Sequence, residues 1–591
     1  MTGTGGRLLS TRLHQAVCRG VFSACTIAHV ATPLFAREIV VSSATQIAQA
    51  MTTAQPGDTL IMTNGVWTNQ QILFQGNGTS GDPIVLRGRS YGTVTLSGTS
   101  RLKIAGNYLV AENLMFQNGN SAPDPVIEFR NGSLESNYCR LTNSSISNYS
   151  PPDINTDNKW VSLYGTHNRV DRCSLKGKTN SGTTLVVWLT SHPNYHQIDH
   201  NYFGPRPDLG FNGGETIRVG TSDWSLYDSF TTVEHNLFDQ CNGEIEVISS
   251  KSCGNVYRYN TFINCQGALT LRHGNRCVVE GNFFFGNGLS NTGGIRVIGE
   301  DHVIINNYIA STRGTSTRSA LSLMNGVPNS PLNRYFQVKR ATIAHNTFVD
   351  NQASITLGAG ADSELTLPPL DCKFVNNVVY GTYSPFFTQV AVPINMTYQG
   401  NIYFGATLGL SATGFLNADP RFAAVGSDGL RHISSNSPVI NAAVGSYPLV
   451  VTDMDGQFRD SLKDIGADEY SMAVPNRRPL TIYDVGPISG TSDVRPDKSD
   501  VLPTGPRLGV NYPNPFNPTT TIEFEVQHSA NAVLRVFNMS GRHIATLFSG
   551  KAYSNQTYRV HFNAQGLASG IYFARLESEG RELVRPMAFV K

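Results

Sequence analysis

One short phrase recurs through the middle of this chain and limits what it can fold into. An apolar pair and a polar residue lead to an asparagine, and two apolar or aromatic residues follow. The phrase stands at TTVEHNLFDQ, GNVYRYNTFINC, CVVEGNFFFGN, HVIINNYIAS, ATIAHNTFVDN, CKFVNNVVYG and MTYQGNIYFG. The central residues are Asn236, Asn260, Asn282, Asn307, Asn346, Asn377 and Asn401, at intervals of 24, 22, 25, 39, 31 and 24. Looser copies occur at LVAENLMFQN (Asn113) and HQIDHNYFGP (Asn201). A unit this short cannot bury its own apolar face, so neighbouring units must stack.

The period predicts three short strands per coil, with coils about 4.8 Å apart. Aliphatic side chains then line the inside, and asparagine sits at a bend where its amide bonds the coils above and below. No propeller blade signature and no leucine periodicity is present. The expected fold class is all-β: a right-handed parallel β-helix followed by a small C-terminal β-sandwich. The long intervals imply inserted loops, which commonly wall a binding groove.

At 591 residues, more than one domain is expected. Residues 1–36 read as a secretory signal: Arg7, Arg12 and Arg19 without an acid, then VFSACTIAHVATPLFA. Residues 37–475 hold the β-helix, and 476–510 form a linker rich in Pro, Ser, Asp and Arg. Over 511–591, alternating strands separated by Asn/Gly turns suit the sandwich. No stretch offers the ~18 apolar residues that a membrane span requires. A net charge of +2 gives no argument for nucleic acid as a partner. The low charge content, 15%, with 56 glycines, suits a turn-rich extracellular β protein.

Beyond the leader lie seven cysteines. Cys241 and Cys265 are 24 apart, as are Cys253 and Cys277, so each pair is expected to stack one coil apart. That spacing permits a disulfide, and equally a ladder of small buried side chains.

The stretch GEIEVISSKS, residues 243–252, carries the chemistry. Side chains alternate along a strand, so Glu244 and Glu246 share a face and repel unless a cation lies between them. One coil on, GALTLRHGN places Arg272 beside Lys251; one coil back, GFNGGETIRVG offers Asn212 and Arg218. Asn212, Glu244 and Glu246 form a hard-oxygen set suited to Ca²⁺. The plainer alternative pairs both glutamates with Arg218 and Lys251. A polyuronate would use such a face for β-elimination. The cation would stabilise charge building on the carboxylate, Lys251 as neutral amine would remove the C5 proton, and Arg272 would assist the departing O4. Arginine hardly gives up its proton, so the cautious form of that assistance is stabilisation through a water.

The segments NGVWTNQQILFQGNGTSGDPIVLRG, FNGGETIRVG, EIEVISSKSCGNVYRYNTF and NCQGALTLRHGN resemble polysaccharide lyase family six, the family of alginate lyases and chondroitinase B. The resemblance covers roughly residues 37–470. It implies Asn212, Glu244 and Glu246 as Ca²⁺ ligands, Lys251 as base and Arg272 as acid. His273 and Arg218 would line the cleft, and Arg318 would bind a substrate carboxylate, with Arg313 as the alternative. NYPNPFNP, VFNMSGR and ASGIYFARL resemble the type A sorting domain of the type nine secretion system. That implies a secreted or cell-surface protein that meets the secretion machinery through its tail. A carbohydrate-binding sandwich is the alternative, although the segment has no Trp.

The expected function is an alginate lyase, as a monomer or weak dimer, with dermatan sulfate lyase as the alternative. Two rivals remain: a hydrolase of the polygalacturonase kind, faintly suggested by INTD (Ile154–Asp157), and a non-catalytic polysaccharide binder.

Overall fold

The structure, a computed structural model, describes residues 36–488, 506–509, 511, 516–526, 529–538, 541–553, 556 and 558–590. The leader expected over 1–36 lies, Ala36 apart, outside these residues. Three sheets of 14 strands each, parallel but for the edge pair Arg130–Asn131 and Leu134–Asn137, run the length of the large domain. Each coil gives one short strand to each sheet. Around Asn236 these are Thr232–Glu234, Leu237–Asp239 and Glu246–Lys251. The chain thus forms the parallel β-helix that its repeat requires.

The bend between the first two strands of a coil begins with a left-handed residue, such as His235 at φ 53° or Asn306 at φ 55°. The ladder asparagine follows, and its amide offers both an acceptor and donors on a short stem. Asn236 Oδ1 accepts the backbone N–H of Asn201 at 2.9 Å and its Nδ2 at 3.0 Å. Asn236 in turn donates from N and Nδ2 to Asn260 Oδ1, at 3.0 and 3.1 Å. The same exchange continues through Asn282, Asn307, Asn346, Asn377 and Asn401, all buried. Buried polar groups of the bend are satisfied without water.

Asn113 does not join this ladder. It occupies the left-handed position itself (φ 63°) and its Oδ1 accepts from Asn143 Nδ2 at 2.7 Å. In the early coils Ser144 and Cys173 hold the ladder position, and Cys173 N–H donates to Asn201 Oδ1 at 2.9 Å.

Aliphatic rows and a column of rings fill the interior. Phe203, Phe238, Phe262 and Phe284 stack at centroid distances of 4.9, 4.6 and 4.5 Å. The helix Ala44–Met51, capped by Ser43 accepting from the Gln46 N–H, buries Ile47 in the same core. Its cover spares the first coil an exposed apolar surface. After the last coil, Leu430, Met454 and Ala467 pack outside the helix on Phe283, Tyr308 and Val349.

All seven cysteines beyond the leader are buried free thiols. Cys241 does stack on Cys265, following the register Asp239 to Ile263. Cys253 and Cys277 do not stack. The coil there is 22 residues long, pairing Val256 with Val278, so Cys277 lies over Asn255 instead. Asn275 N–H donates to Cys253 Sγ at 3.2 Å.

In the C-terminal part, antiparallel sheets of three and four strands enclose a second core that includes Ile522, Phe524, Leu534, Phe562 and Leu576. This is the small sandwich expected. Among the described residues no helix is long and apolar enough to cross a membrane.

Candidate active site

One of the three sheets carries the charged face. Its successive strands include Ile217–Gly220, Glu246–Lys251, Ala268–His273 and Ile295–Val297. Inward positions are Ile217, Ile248, Leu269 and Ile295, in one row of the core. The row beside it points outward and reads Arg218, Ser249, Thr270, Arg296.

Two register shifts shape this face. Between Glu246–Lys251 and Ala268–His273, the pairing skips Val247 near one end and Arg272 near the other. Lys251 therefore pairs with His273, and Arg272 is the extra residue of a bulge. Bulges re-aim side chains, and here one gathers Lys251, Arg272 and His273 at one place.

Glu215, Glu244 and Glu246 are all buried, with one oxygen of each within 4.8 Å of the others. Glu244 Oε2 accepts the Gly213 N–H at 2.9 Å. Glu246 Oε2 accepts from Ser249 Oγ at 2.5 Å, and its Oε1 lies 3.3 Å from Arg296 Nη1 and 3.6 Å from Arg272 Nε. Glu215 Oε1 is 3.7 Å from Lys251 Nζ. Glu215 Oε2 and Glu244 Oε1 are buried without any hydrogen-bond partner. Burial, together with the charges of Glu215 and Glu246, pushes the Glu244 carboxyl up to about 8. Buried carboxylate oxygens left unpaired in this way fit a hard divalent cation.

Asn212 is exposed, next to Gly213, and its side chain makes no hydrogen bond to the described residues. Glu215, by contrast, stands in the acid cluster and was missed in the sequence. Its signal was available: it precedes Glu246 by 31 residues, the offset that pairs Ile217 with Ile248.

Lys251 is mostly covered, at 18% side-chain exposure. Arg272 Nη1 lies 2.8 Å from His273 Nε2 and donates to the carbonyl of Arg334 at 3.0 Å. Burial lowers the basicity of Arg272. Burial, then the Arg272 and Lys251 charges, pulls His273 down to about 3, so its imidazole is neutral at physiological pH. Arg218 lies over the Trp188 ring at 5.2 Å, its Nε buried and unpartnered.

Arg318 ends the short helical turn Ser316–Arg318 ahead of the strand Leu321–Met324, two coils past Ala268–His273, with its Nε unpartnered. Arg313 is committed elsewhere: Nη1 donates to the Thr312 and Asp350 carbonyls at 3.0 and 2.7 Å, and its guanidinium covers Tyr383. Besides Arg272, the arginine that reaches Glu246 from a later coil is Arg296, in GGIRVIGE, 24 residues after Arg272.

A family model described as Chondroitinase B matches residues 41–409, and one described as a secretion system C-terminal sorting domain matches 511–588. Among solved structures, the polysaccharide lyase family six alginate lyase AlyGC is 38% identical with a TM-score of 0.69, covering 76% of this chain and 58% of its own. A mannuronic acid specific family-six lyase from human gut microbiota is 35% identical with a TM-score of 0.59, covering 64% of this chain and 90% of its own. A family-six alginate lyase in complex with a trisaccharide is 25% identical with a TM-score of 0.60, covering 74% of this chain and 96% of its own. The chain thus spans 58% of the length of AlyGC. No curated protein matches it.

Proposed function

The chain belongs to the chondroitinase B family, polysaccharide lyase family six, and on that premise we propose that it is an exported lyase cleaving alginate by β-elimination. The observation that carries this reading is the convergence of three buried carboxylates, one lysine and one arginine on a single sheet face.

Glu215, Glu244 and Glu246 would hold a calcium ion, with Asn212 alongside. Bound there, calcium supplies positive charge to the uronate carboxylate, where the reaction builds negative charge. Lys251 takes the C5 proton onto its amine nitrogen, and Glu215 fixes the direction of its stem. The electron pair of the broken C–H bond forms the new C4–C5 double bond as the C4–O4 bond breaks. Arg272 stabilises the departing O4 as a hydrogen-bond donor, its full charge suiting it to that better than to proton transfer, and a solvent water held beside it gives O4 the proton that completes the new hydroxyl. Neutral His273 orients that guanidinium without adding a competing charge. Arg218 and Arg318 would pair with carboxylates of neighbouring sugars, and Arg296 screens Glu246.

Dermatan sulfate is the second reading, favoured by the chondroitinase B model over residues 41–409. The sorting-domain match implies export by the type nine system, through the tail. A leader over 1–36, a catalytic unit over 37–475, a linker over 476–510, a sorting unit over 511–591 and a monomeric or weakly dimeric state complete the proposal.

The test is to incubate the purified protein with polymannuronate, polyguluronate, mixed alginate and dermatan sulfate, following the ultraviolet absorbance of an unsaturated uronate. Unsaturated product from an alginate supports the reading, and unsaturated product from dermatan sulfate alone moves it to the second substrate. Saturated reducing ends, or retention of polymer without cleavage, would refute the eliminative chemistry.

A further inference from the structure

The two long intervals in the repeat, 39 and 31 residues, mark inserted segments after Leu321–Met324 and after Ile355–Ala359. The two inserts join each other. Gly326 and Leu367 exchange backbone hydrogen bonds at 2.7 and 2.9 Å. Arg334 pairs with Glu364 through two contacts, one of them Nε to Oε1 at 2.8 Å. Gln337 Nε2 donates to the Pro368 carbonyl at 2.7 Å. Beneath them lies a small core of Ile298, Met324, Ala359 and Leu365, with Val327, Tyr335 and Phe336 packed against it. The first insert is therefore a braced element rather than a loose lid.

Its tip reaches Arg272. The Tyr335 ring lies under the Arg272 guanidinium at 4.1 Å, and its hydroxyl accepts from Arg296 Nη2 at 3.1 Å. The neighbouring Arg334 carbonyl accepts from Arg272 Nη1 at 3.0 Å and lies 3.1 Å from His273 Nε2. Glu246 meets both arginines by its Oε1, through Arg272 Nε and Arg296 Nη1. With Nε facing Glu246 and Nη1 engaged, only Nη2 of Arg272 has no partner among the described residues. That is the donor left to meet a substrate oxygen.

We propose that Tyr335, held on the paired inserts, is a positioning residue that presents Arg272 Nη2 to the departing oxygen; the inference rests on the eliminative reading above. An arginine side chain has several rotatable bonds, and a guanidinium fixed before substrate arrives need not be ordered during the reaction. Stacking on an aromatic face fixes the plane of the group without consuming its N–H donors. A hydrogen-bonding side chain in the same place would have taken one of them.

The experiment compares steady-state kinetics of Tyr335→Leu, Tyr335→Phe and Glu364→Gln with the wild type on the preferred alginate, with melting temperatures alongside. Tyr335→Leu should lower kcat by about 30- to 100-fold with KM changed less than about threefold, the scale of a misplaced catalytic group. Tyr335→Phe keeps the ring and should restore kcat to within about fivefold of wild type. Glu364→Gln, which loosens the insert at a distance, should lower kcat by a smaller factor of about three to ten, again without raising KM.

Four outcomes would overturn the inference. These are a Tyr335→Leu enzyme of wild-type kcat, a loss confined to KM, a phenylalanine variant as slow as the leucine one, and Glu364→Gln at wild-type kcat. If Tyr335→Leu melts far below wild type, the Phe and Glu364→Gln variants carry the decision. A wild-type protein that yields no unsaturated product refutes the reading beneath; an active wild type indifferent to Tyr335 refutes only this inference.

Discussion

Replacing Glu244 with glutamine isolates the electrostatic cost of the acid cluster. In the cation-free fold, burial and the charges of Glu215 and Glu246 hold the Glu244 carboxyl at about 8, against an ordinary value of 4.5. The folded state therefore binds one more proton than the unfolded chain between those values, and stability falls as pH rises through that window. Full ionisation costs roughly 5 kcal/mol, taking 1.36 kcal/mol for each pH interval of one. Glutamine keeps the shape and the Gly213 contact without the charge. In chelator, the wild type should melt at steadily lower temperature from pH 5 to pH 8, while Glu244→Gln stays nearly level. At pH 8 the variant should be the more stable protein. Added Ca²⁺ should reverse the order, stabilising the wild type strongly and the variant weakly, because a ligand specific to the native state stabilises it by mass action. Scanning calorimetry at pH 5, 6, 7 and 8, with and without Ca²⁺, provides the assay. Parallel pH profiles for the two proteins in chelator, with no gain from Ca²⁺ in either, would refute the reasoning.

Other expectations follow from the stacked coils. Asn282→Ala removes the acceptor of the Asn260 N–H and Nδ2. Leaving those two buried donors unpaired should cost about 2–6 kcal/mol, at about 1–3 kcal/mol per orphaned group, measured as a drop in denaturant midpoint. A reductant should leave the melting temperature unchanged, since the described cysteines are free thiols; a shift would reveal a disulfide.

The parts of the fold legible in the sequence are those with a period. The ladder from Asn201 to Asn401 could be read because each bend needs the same amide, and only Asn supplies it at that length. Asn113 misled by one position because Ser144 and Cys173 replace the amide in the early coils, which removes the landmark. The Cys253 and Cys277 pairing failed because one coil is 22 residues rather than 24, and a two-residue error moves a side chain along its row.

At the candidate site, the nearness of Glu244, Glu246, Lys251 and Arg272 was legible because two adjacent coils carry them without a large insert. Glu215 escaped because the offset of 31 hides its alignment with Glu246. Arg296 lies one coil past Thr270, but isolated arginines on a sheet face give no pattern that marks them. Tyr335 could not have been read at all. It comes from an insert whose course is set by packing on Ile298 and Leu365, not by any repeat.

The most direct measurement is the turnover of alginate by Lys251→Ala beside its binding of the same polymer. The described ion pair of Lys251 is the long one to Glu215, at 3.7 Å, so the variant should fold and bind with a Kd within about threefold of wild type. It should release no unsaturated uronate, the loss of a base costing at least about 10²–10⁴ in rate. Unsaturated product at the wild-type rate would contradict the assignment of the base, and with it the chemistry assigned to this face.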